Sequence, residues 1–280
     1  MHNLISNIDL LGKFEVMENI FYEYKHDRSP KMQAFEGHST NAPRHFHRNI
    51  EVIYVISGEI ETTVGDESFT AKPGDIIFVH NYYIHSYKPS PKYEKLVLII
   101  PSNYGNDVDK ILNESTLPAL LSDREYNKKN IFSYFQKIVE ENDTMPSLVK
   151  KGFLNVLIGL LFAHYPTLPI KTSGNIEFMV DVLHYIDEHY SEPLTLDSVA
   201  AAFGYNKYYF SRIFNKYIGE SLTNYINVVR IRNFMDISKG YKKPQIAKLA
   251  FECGFDSLPT FYRSFMKIYG ESPKAYFSKK

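Results

Sequence analysis

The sequence predicts an α+β protein of two domains, an antiparallel β-barrel backed by a helical layer and, after it, an all-α domain. Three observations lead there. Short Val-, Ile- and Tyr-rich runs split by turn residues occupy about residues 38–101. Helical periodicity replaces them from about 107. Two stretches of the last third then repeat one another in order. A chain of 280 residues is too long for one ordinary core, and 44% hydrophobic residues, with 15% aromatic, can fill two.

The strand runs are Glu51–Ile56, Ile60–Val64, Ile76–Val79 and Leu96–Ile100. Ser57-Gly58, Gly65-Asp66 and Lys72-Pro73-Gly74-Asp75 lie between them and reverse the chain. Strands this short and evenly spaced suit a small barrel or sandwich, placed at 1–106. From 107 to 165 the period becomes helical: Ile131, Phe135 and Ile138 fall on one face, and Ser147–Tyr165 is apolar nearly all round. That helix is expected to be buried within the chain or against a partner, and dimerisation through 107–165 is preferred. Pro166–Gly174 breaks helicity and reads as a linker over 166–175.

One cysteine, Cys253, rules out an internal disulfide framework. The start lacks a basic, long-apolar leader, and Phe153–Phe162 is shorter than the ~20 residues of a membrane span. A cytoplasmic protein with no membrane partner is expected. Zero net charge conceals an asymmetry. Residues 1–175 carry 18 Lys/Arg against 21 Asp/Glu, whereas 207–280 carry 14 against 5. A basic end on a neutral chain points to an anionic partner met by that end.

The repeat matches 196–225 with 246–276. Leu196, Val199, Ala200, Gly204 and Tyr205 correspond to Ile246, Leu249, Ala250, Gly254 and Phe255. After one inserted residue, Phe210, Arg212, Phe214 and Lys216 correspond to Phe261, Arg263, Phe265 and Lys267. Gly219-Glu220-Ser221 and Tyr225 then match Gly270-Glu271-Ser272 and Tyr276. In each copy a small alanine lets two helices cross closely, and a glycine at their junction can adopt a left-handed turn. The second helix buries Phe210, Ile213, Phe214 and Tyr217. It offers Lys207, Tyr208, Ser211, Arg212 and Asn215 on the other face, donors of the kind that read phosphates and base edges. Ser221–Lys239 reads as one connecting helix capped by Ser221, and Pro244 suits the first turn of the next.

These residues, and above all Ala250–Phe255, Phe261–Phe265 and Gly270–Tyr276, resemble the DNA-binding domain of the AraC/XylS regulators over 176–280. The resemblance implies two helix-turn-helix units reaching successive major grooves, about 34 Å apart, on one face of the duplex. It also implies that the second unit touches RNA polymerase. The DNA-contacting candidates are Asn206, Lys207, Tyr208, Ser211, Arg212 and Asn215 in the first unit, and Ser257, Leu258, Thr260, Tyr262, Arg263 and Lys267 in the second. Two departures stand out. Asn215 and Met266 replace the lysine usual after the Phe that ends each recognition helix. The second outward face (Leu258, Pro259, Tyr262, Arg263, Met266) is far less polar, so the first unit is expected to supply most base readout and the second to rely on Arg263, Lys267 and apolar contacts.

In the barrel, His45-x-His47-x3-Glu51-x6-Gly58, followed by Pro73-Gly74-Asp75 and His85, resembles the two cupin motifs, the second with altered spacing. An extended strand puts 45, 47 and 51 on one face. The effector-binding candidates are His45, His47, Glu51, Tyr54 and His85, with Tyr82, Tyr83 and Tyr87 nearby as rings for stacking. Three readings stay open: hydrogen bonding to a small polar effector such as a sugar, which is preferred; a divalent metal on His45, His47, Glu51 and His85; and structural histidines. The functional expectation is a ligand-responsive, non-enzymatic activator of a sugar-utilisation operon, binding double-stranded DNA as a homodimer. The alternative is a metal-dependent cupin enzyme fused to a DNA-binding domain. A DNA-repair alkyl acceptor would need a reactive thiol, and Cys253 reads as a packing residue.

Overall fold

The structure, a computed structural model, describes residues 20–23, 32–38, 41–101, 104, 106–171, 176–241 and 244–278. Most of the expected barrel's first thirty residues and the end of the expected linker (172–175) lie outside the described residues. The chain forms two units: residues 31–175 with 1–20, and residues 176–280 with 21–30. The short strand β1 (Phe21–Tyr22) is therefore counted with the second unit, where Tyr22 is buried and meets the Tyr225 ring edge-on at 6.2 Å.

The first unit is built on β2 (Gln33–His38), β3 (Ala42–Phe46), β4 (Ile50–Ser57), β5 (Ile60–Val64) and β6 (Glu67–Ala71), then β7 (Ile76–Val79), β8 (His85–Pro89), β9 (Glu94–Ile100) and β10 (Leu120–Leu121). One sheet runs β10-β7-β4-β9-β2; the other carries β3-β8-β5-β6 in that order. The pairings are antiparallel. Strand β4 is buried from Ile50 to Val55 because it is covered on both faces. Ile53 and Val55 point between the sheets with Ile77, Val79, Val97 and Ile99. Val52 and Tyr54 point the other way, into a core shared with the helices. The strict two-residue alternation of a strand separates the two sets.

That helical layer comprises α1 (Asn106–Glu114), α2 (Arg124–Tyr126), α3 (Phe132–Glu140) and α4 (Ser147–His164), with a π turn, Asn127–Ile131, joining α2 to α3. Ile131, Phe135 and Ile138 are fully buried on one face, as their spacing predicts. Helix α4 is apolar and long enough to cross a membrane by length and composition. It sends Leu154, Leu157, Ile158 and Leu161 into the barrel-facing core. The remaining face is open, with Leu148 83% and Val156 43% exposed, so burial within the chain does not account for all of its apolar character.

The π turn carries a polar knot. Asn127 is completely buried; its Nδ2 donates to the carbonyls of Gly74 and Leu121 at 3.0 Å each, and its Oδ1 accepts from the Tyr165 hydroxyl at 2.8 Å. Next to it, Arg124 grips the buried Asp75 carboxylate through Nε (2.7 Å) and Nη2 (3.1 Å). The Pro73-Gly74-Asp75 turn is thus tied to the helices by three side-chain hydrogen bonds that no apolar pattern announces.

The second unit is helical: α5 (Glu177–His189), α6 (Leu196–Ala202), α7 (Lys207–Ile218), α8 (Leu222–Ser238), α9 (Ile246–Glu252), α10 (Leu258–Tyr269) and α11 (Pro273–Ser278). Asn206 and Ser221 cap α7 and α8 through their side chains, and Thr195 with Ser198 forms a capping box at α6. Gly204 and Gly254 both have positive φ, +75° and +84°. Gly254 has a second constraint: a Cβ there would stand 2.7 Å from the Tyr190 carbonyl oxygen. One expectation is corrected. Helix α9 begins at Ile246 with Gln245 as its cap, so Pro244 precedes the cap instead of occupying the first turn.

Candidate functional site

The recognition helices follow from their burial pattern. In α7, Phe210, Ile213, Phe214 and Tyr217 are buried, leaving Tyr208 (79% exposed), Arg212 and Asn215 on the free face. Ser211 is half-buried beside them. Arg212 is poised with its guanidinium 5.5 Å from the Tyr209 ring centre. Lys207 pairs with Asp197 at 3.0 Å, and Asn206 spends its side-chain oxygen on the Tyr209 amide. Both can still contact DNA, but each already has a structural task.

Helix α10 buries Phe261 and Phe265 and exposes Tyr262, Arg263, Met266 and Lys267. Ser257 Oγ donates to Thr260 Oγ1 (3.1 Å), which also accepts from Arg263 Nη2 (3.4 Å). Ser257 and Thr260 therefore position the arginine. Lys267 pairs with Glu220 at 3.2 Å, an exposed contact weak enough for a phosphate to displace. Leu258 is half-buried, packing on one side against the core of Leu249, Ala250 and Phe261.

The basic excess also contracts. Arg230 is buried, donating to the Tyr190 and Glu192 carbonyls at 2.8 Å each, and Arg232 is buried against Asp187. These two arginines hold the connecting helix α8 against α5 and are not available to an external anion. Cys253 is fully buried, and burial pushes its thiol up to about 12, which suits packing and not nucleophilic attack.

In the barrel, His45, His47, Glu51 and His85 converge, all buried, with one ligand atom of each within 4.8 Å of the others. The route differs from a single strand face. His45 sits near the end of β3 and is paired in register with His85 at the start of β8. The chain then bends at 47–49 and re-enters in the other sheet, where β4 presents Glu51. The cluster thus forms at a corner between the two sheets. Each imidazole donates Nδ1–H to a carbonyl: His45 to Pro43 (2.8 Å), His47 to Asn49 (2.9 Å) and His85 to Tyr83 (2.8 Å). With Nδ1 so committed, Nε2 is the atom these rings offer to the cluster, as a lone pair when neutral and as a second donor when protonated. Nε2 of His47 and His85 lie 3.1 and 3.3 Å from Glu51 Oε2. The His85 contact lies outside hydrogen-bonding geometry and leaves that buried nitrogen without a hydrogen-bond partner. Burial works to raise the Glu51 pKa, but the two imidazoles outweigh it and hold the carboxyl well below the ordinary carboxylate range.

Tyr54 is not part of this cluster. It faces the helices, 5.0 and 6.1 Å from the Phe132 and Phe135 rings, because an even-numbered residue of β4 cannot share a face with Glu51. The tyrosine at the site is Tyr87, 5.4 Å from His85 and 6.4 Å from His45 by ring centres, on the same face of β8 as His85. A groove of about 730 Å³ borders Tyr87 and is lined by Arg44, Glu61, Thr63, Phe69 and Lys88 among others; none of the four cluster side chains lines it.

The comparisons agree with both halves. A helix-turn-helix domain family matches residues 199–279 and a cupin domain family matches 31–99. The regulatory protein SoxS of Escherichia coli is 32% identical over 96 residues, 34% of this chain and 89% of SoxS. The right origin-binding protein of the same organism is 33% identical over 96 residues, 34% of this chain and 33% of that protein, so the match spans about a third of it. The structure of the AraC-like transcriptional activator CuxR aligns over 73% of this chain and 72% of that one at 16% identity, with a TM-score of 0.44. Paired recognition helices on a repeated scaffold, matched over most of the length of SoxS, make this chain a member of the AraC/XylS family of DNA-binding transcription regulators.

Proposed function

We propose that this regulator senses through a divalent cation held in its barrel by His45, His47, Glu51 and His85. The observation that carries the reading is the set of three Nδ1–H···O=C bonds, which turn Nε2 of His47 and His85 to the buried Glu51 carboxylate, with His45 as the third imidazole of the same cluster. In protonated form the His47 and His85 rings hold the Glu51 carboxylate from Nε2; a cation among them takes the place of those protons and gives the His85 nitrogen a partner. Three nitrogens and one oxygen suit Zn, Fe(II), Mn or Ni, and histidines oriented by backbone carbonyls are the usual second layer of such sites. When bound, the cation supplies a fixed positive charge and a position for an oxygen ligand. Elemental analysis of the purified protein tests this: one metal per chain, lost in His47→Ala, is expected, and metal-free protein with intact fold contradicts it.

The second reading, a sugar-class effector and control of a sugar-utilisation operon, has the groove beside Tyr87 in its favour. Its aromatic Phe69 and Tyr87, with Arg44 and Glu61, offer the mix of ring faces and hydrogen-bonding groups a sugar needs. Calorimetry against a panel of monosaccharides, with Tyr87→Ala as control, decides it.

DNA contact is assigned to Tyr208, Arg212 and Asn215 for base readout, and to Arg263, Lys267, Tyr262 and Met266 for phosphate and apolar contact. The barrel acts as a sensor and not a catalyst, in keeping with relatives named as regulators. A cytoplasmic homodimer, with RNA polymerase as a partner of the second unit, completes the proposal. Dimerisation is placed on α4, where Leu148 and Val156 share the open face with Gly152 and Gly159. A Cβ at either glycine would meet nothing within 4 Å, so neither serves packing inside the chain. Mid-helix glycines cost about 0.5–1 kcal/mol each, and their benefit here is close approach of the same helix from a second copy.

A further inference from the structure

The segment after α4 is anchored to the barrel where it leaves it. Leu168 exchanges two backbone hydrogen bonds with Thr116, at 2.9 and 2.8 Å. Three residues on, the Lys171 amide donates to the Tyr83 hydroxyl at 2.7 Å. Tyr83 belongs to the turn between β7 and β8, and that turn is pinned from its other side by the histidine cluster. The Tyr82 amide donates to the His47 carbonyl at 2.7 Å, and His85 Nδ1–H donates to the Tyr83 carbonyl at 2.8 Å. His80, which opens the turn, donates Nε2–H to the Leu112 carbonyl of α1 at 2.7 Å, four residues before Thr116.

Tyr82 shows that the turn is held under strain. Among the described residues it is the non-glycine with positive φ, +62°. For a bulky side chain this conformation costs about 1–3 kcal/mol and persists only where its surroundings impose it. The imposing contacts include the His47 carbonyl before it and the His85 ring after it. One six-residue turn therefore touches two cluster histidines on one side and both routes to the linker on the other.

We propose that the turn His80–His85 reports occupancy of the histidine cluster to the linker, with the Tyr83 hydroxyl as the latch on Lys171. The proposal rests on the cation reading of the cluster. A cation on His85 Nε2 makes Nδ1–H a stronger donor, and the tightened bond to the Tyr83 carbonyl fixes that residue's backbone. The side chain is then held where its hydroxyl meets the Lys171 amide. Without the cation that restraint weakens, the strained Tyr82 backbone has a way to relax, and residues 168–171 are freed. Tyr83 meets the cluster through its carbonyl and Lys171 through its hydroxyl, so it is a positioning residue.

Hydrogen exchange of the full-length protein, stripped with a chelator and reloaded with Zn²⁺, reads the latch directly, with metal stoichiometry measured on the same samples. In the wild type, Zn²⁺ is expected to slow exchange over 167–171 by about threefold to tenfold, the range that the net worth of one hydrogen bond supplies. Tyr83→Phe keeps the ring and deletes the hydroxyl. It should bind Zn²⁺ with unchanged stoichiometry, yet exchange over 167–171 at the fast rate with or without metal. Stoichiometric Zn²⁺ uptake with no change over 167–171 in the wild type would overturn the latch and leave the cation site standing. So would metal-dependent protection that survives in Tyr83→Phe. Absence of Zn²⁺ uptake by the wild type defeats the cation reading and the latch together.

Discussion

Single residues divide into those proposed to read DNA and those that hold them in place. Arg212 stands free on α7, and replacing it with alanine should cost about 1–3 kcal/mol of specific binding and relax the sequence preference at one position. Lys267 should behave otherwise. Its alanine variant is expected to weaken binding to all sequences alike and to reduce the slope of log affinity against log salt by about one, measured by titration at several ionic strengths. An unchanged slope removes Lys267 from the phosphate contacts. Removing the Thr260 hydroxyl with valine should weaken specific binding without changing fold, because Arg263 loses the group that orients it. His80 gives a pH signature. Burial lowers its pKa from 6.5 despite the carbonyl bond that opposes it, so the folded state holds fewer protons than the unfolded one. Its contribution to stability is intact above about pH 6.5 and is lost as pH falls below that toward the depressed value. His80→Gln should therefore show a shallower loss of stability than the wild type between pH 7 and 5.5 in urea unfolding.

Elements were legible in the sequence where one periodicity ruled them. Strands at Ile60–Val64 and Ile76–Val79 end where their turn residues stand, and Ile131, Phe135 and Ile138 are buried together on one face. Both recognition helices are positioned by a repeat that fixes the buried aromatics, and hence the free face. Reading was less complete where contacts come from distant positions. Alternation puts the two histidines of the first motif on one strand with Glu51, but the bend at 47–49 carries the chain from one sheet to the other, a change with no signature in that pattern. Tyr54 was misplaced for a simpler reason, since its even number already assigns it to the helical side. The Asn127 knot was invisible because a buried asparagine at a π turn looks like surface in a pattern of polar neighbours. Asn127→Ala leaves the Gly74 and Leu121 carbonyls and the Tyr165 hydroxyl without these partners, and should lower stability by roughly 2–4 kcal/mol in urea unfolding. A loss below 1 kcal/mol would mean that water replaces the amide.

At the scale of the whole molecule the chain separates its tasks. A basic helical unit grips DNA; sensing is proposed for the barrel's histidine corner and contact with a second copy for the helical layer. Leu148→Glu with Val156→Glu, both on the open face of α4, should shift sedimentation from dimer to monomer at micromolar concentration while leaving the barrel folded. Weak DNA binding by the monomer should follow, through loss of the second copy's contacts. The central claim is that the two repeated units in one chain each place a helix in adjacent major grooves. Hydroxyl-radical footprinting of the full-length protein on an operator selected from random sequence tests it most directly. Within each half-site, two protected patches on one face of the duplex are predicted, one helical turn (about 10–10.5 bp) apart, the patch under α7 weakening in Arg212→Ala. A single patch, or protection that stays unchanged when both Arg212 and Arg263 are replaced by alanine, would contradict the account.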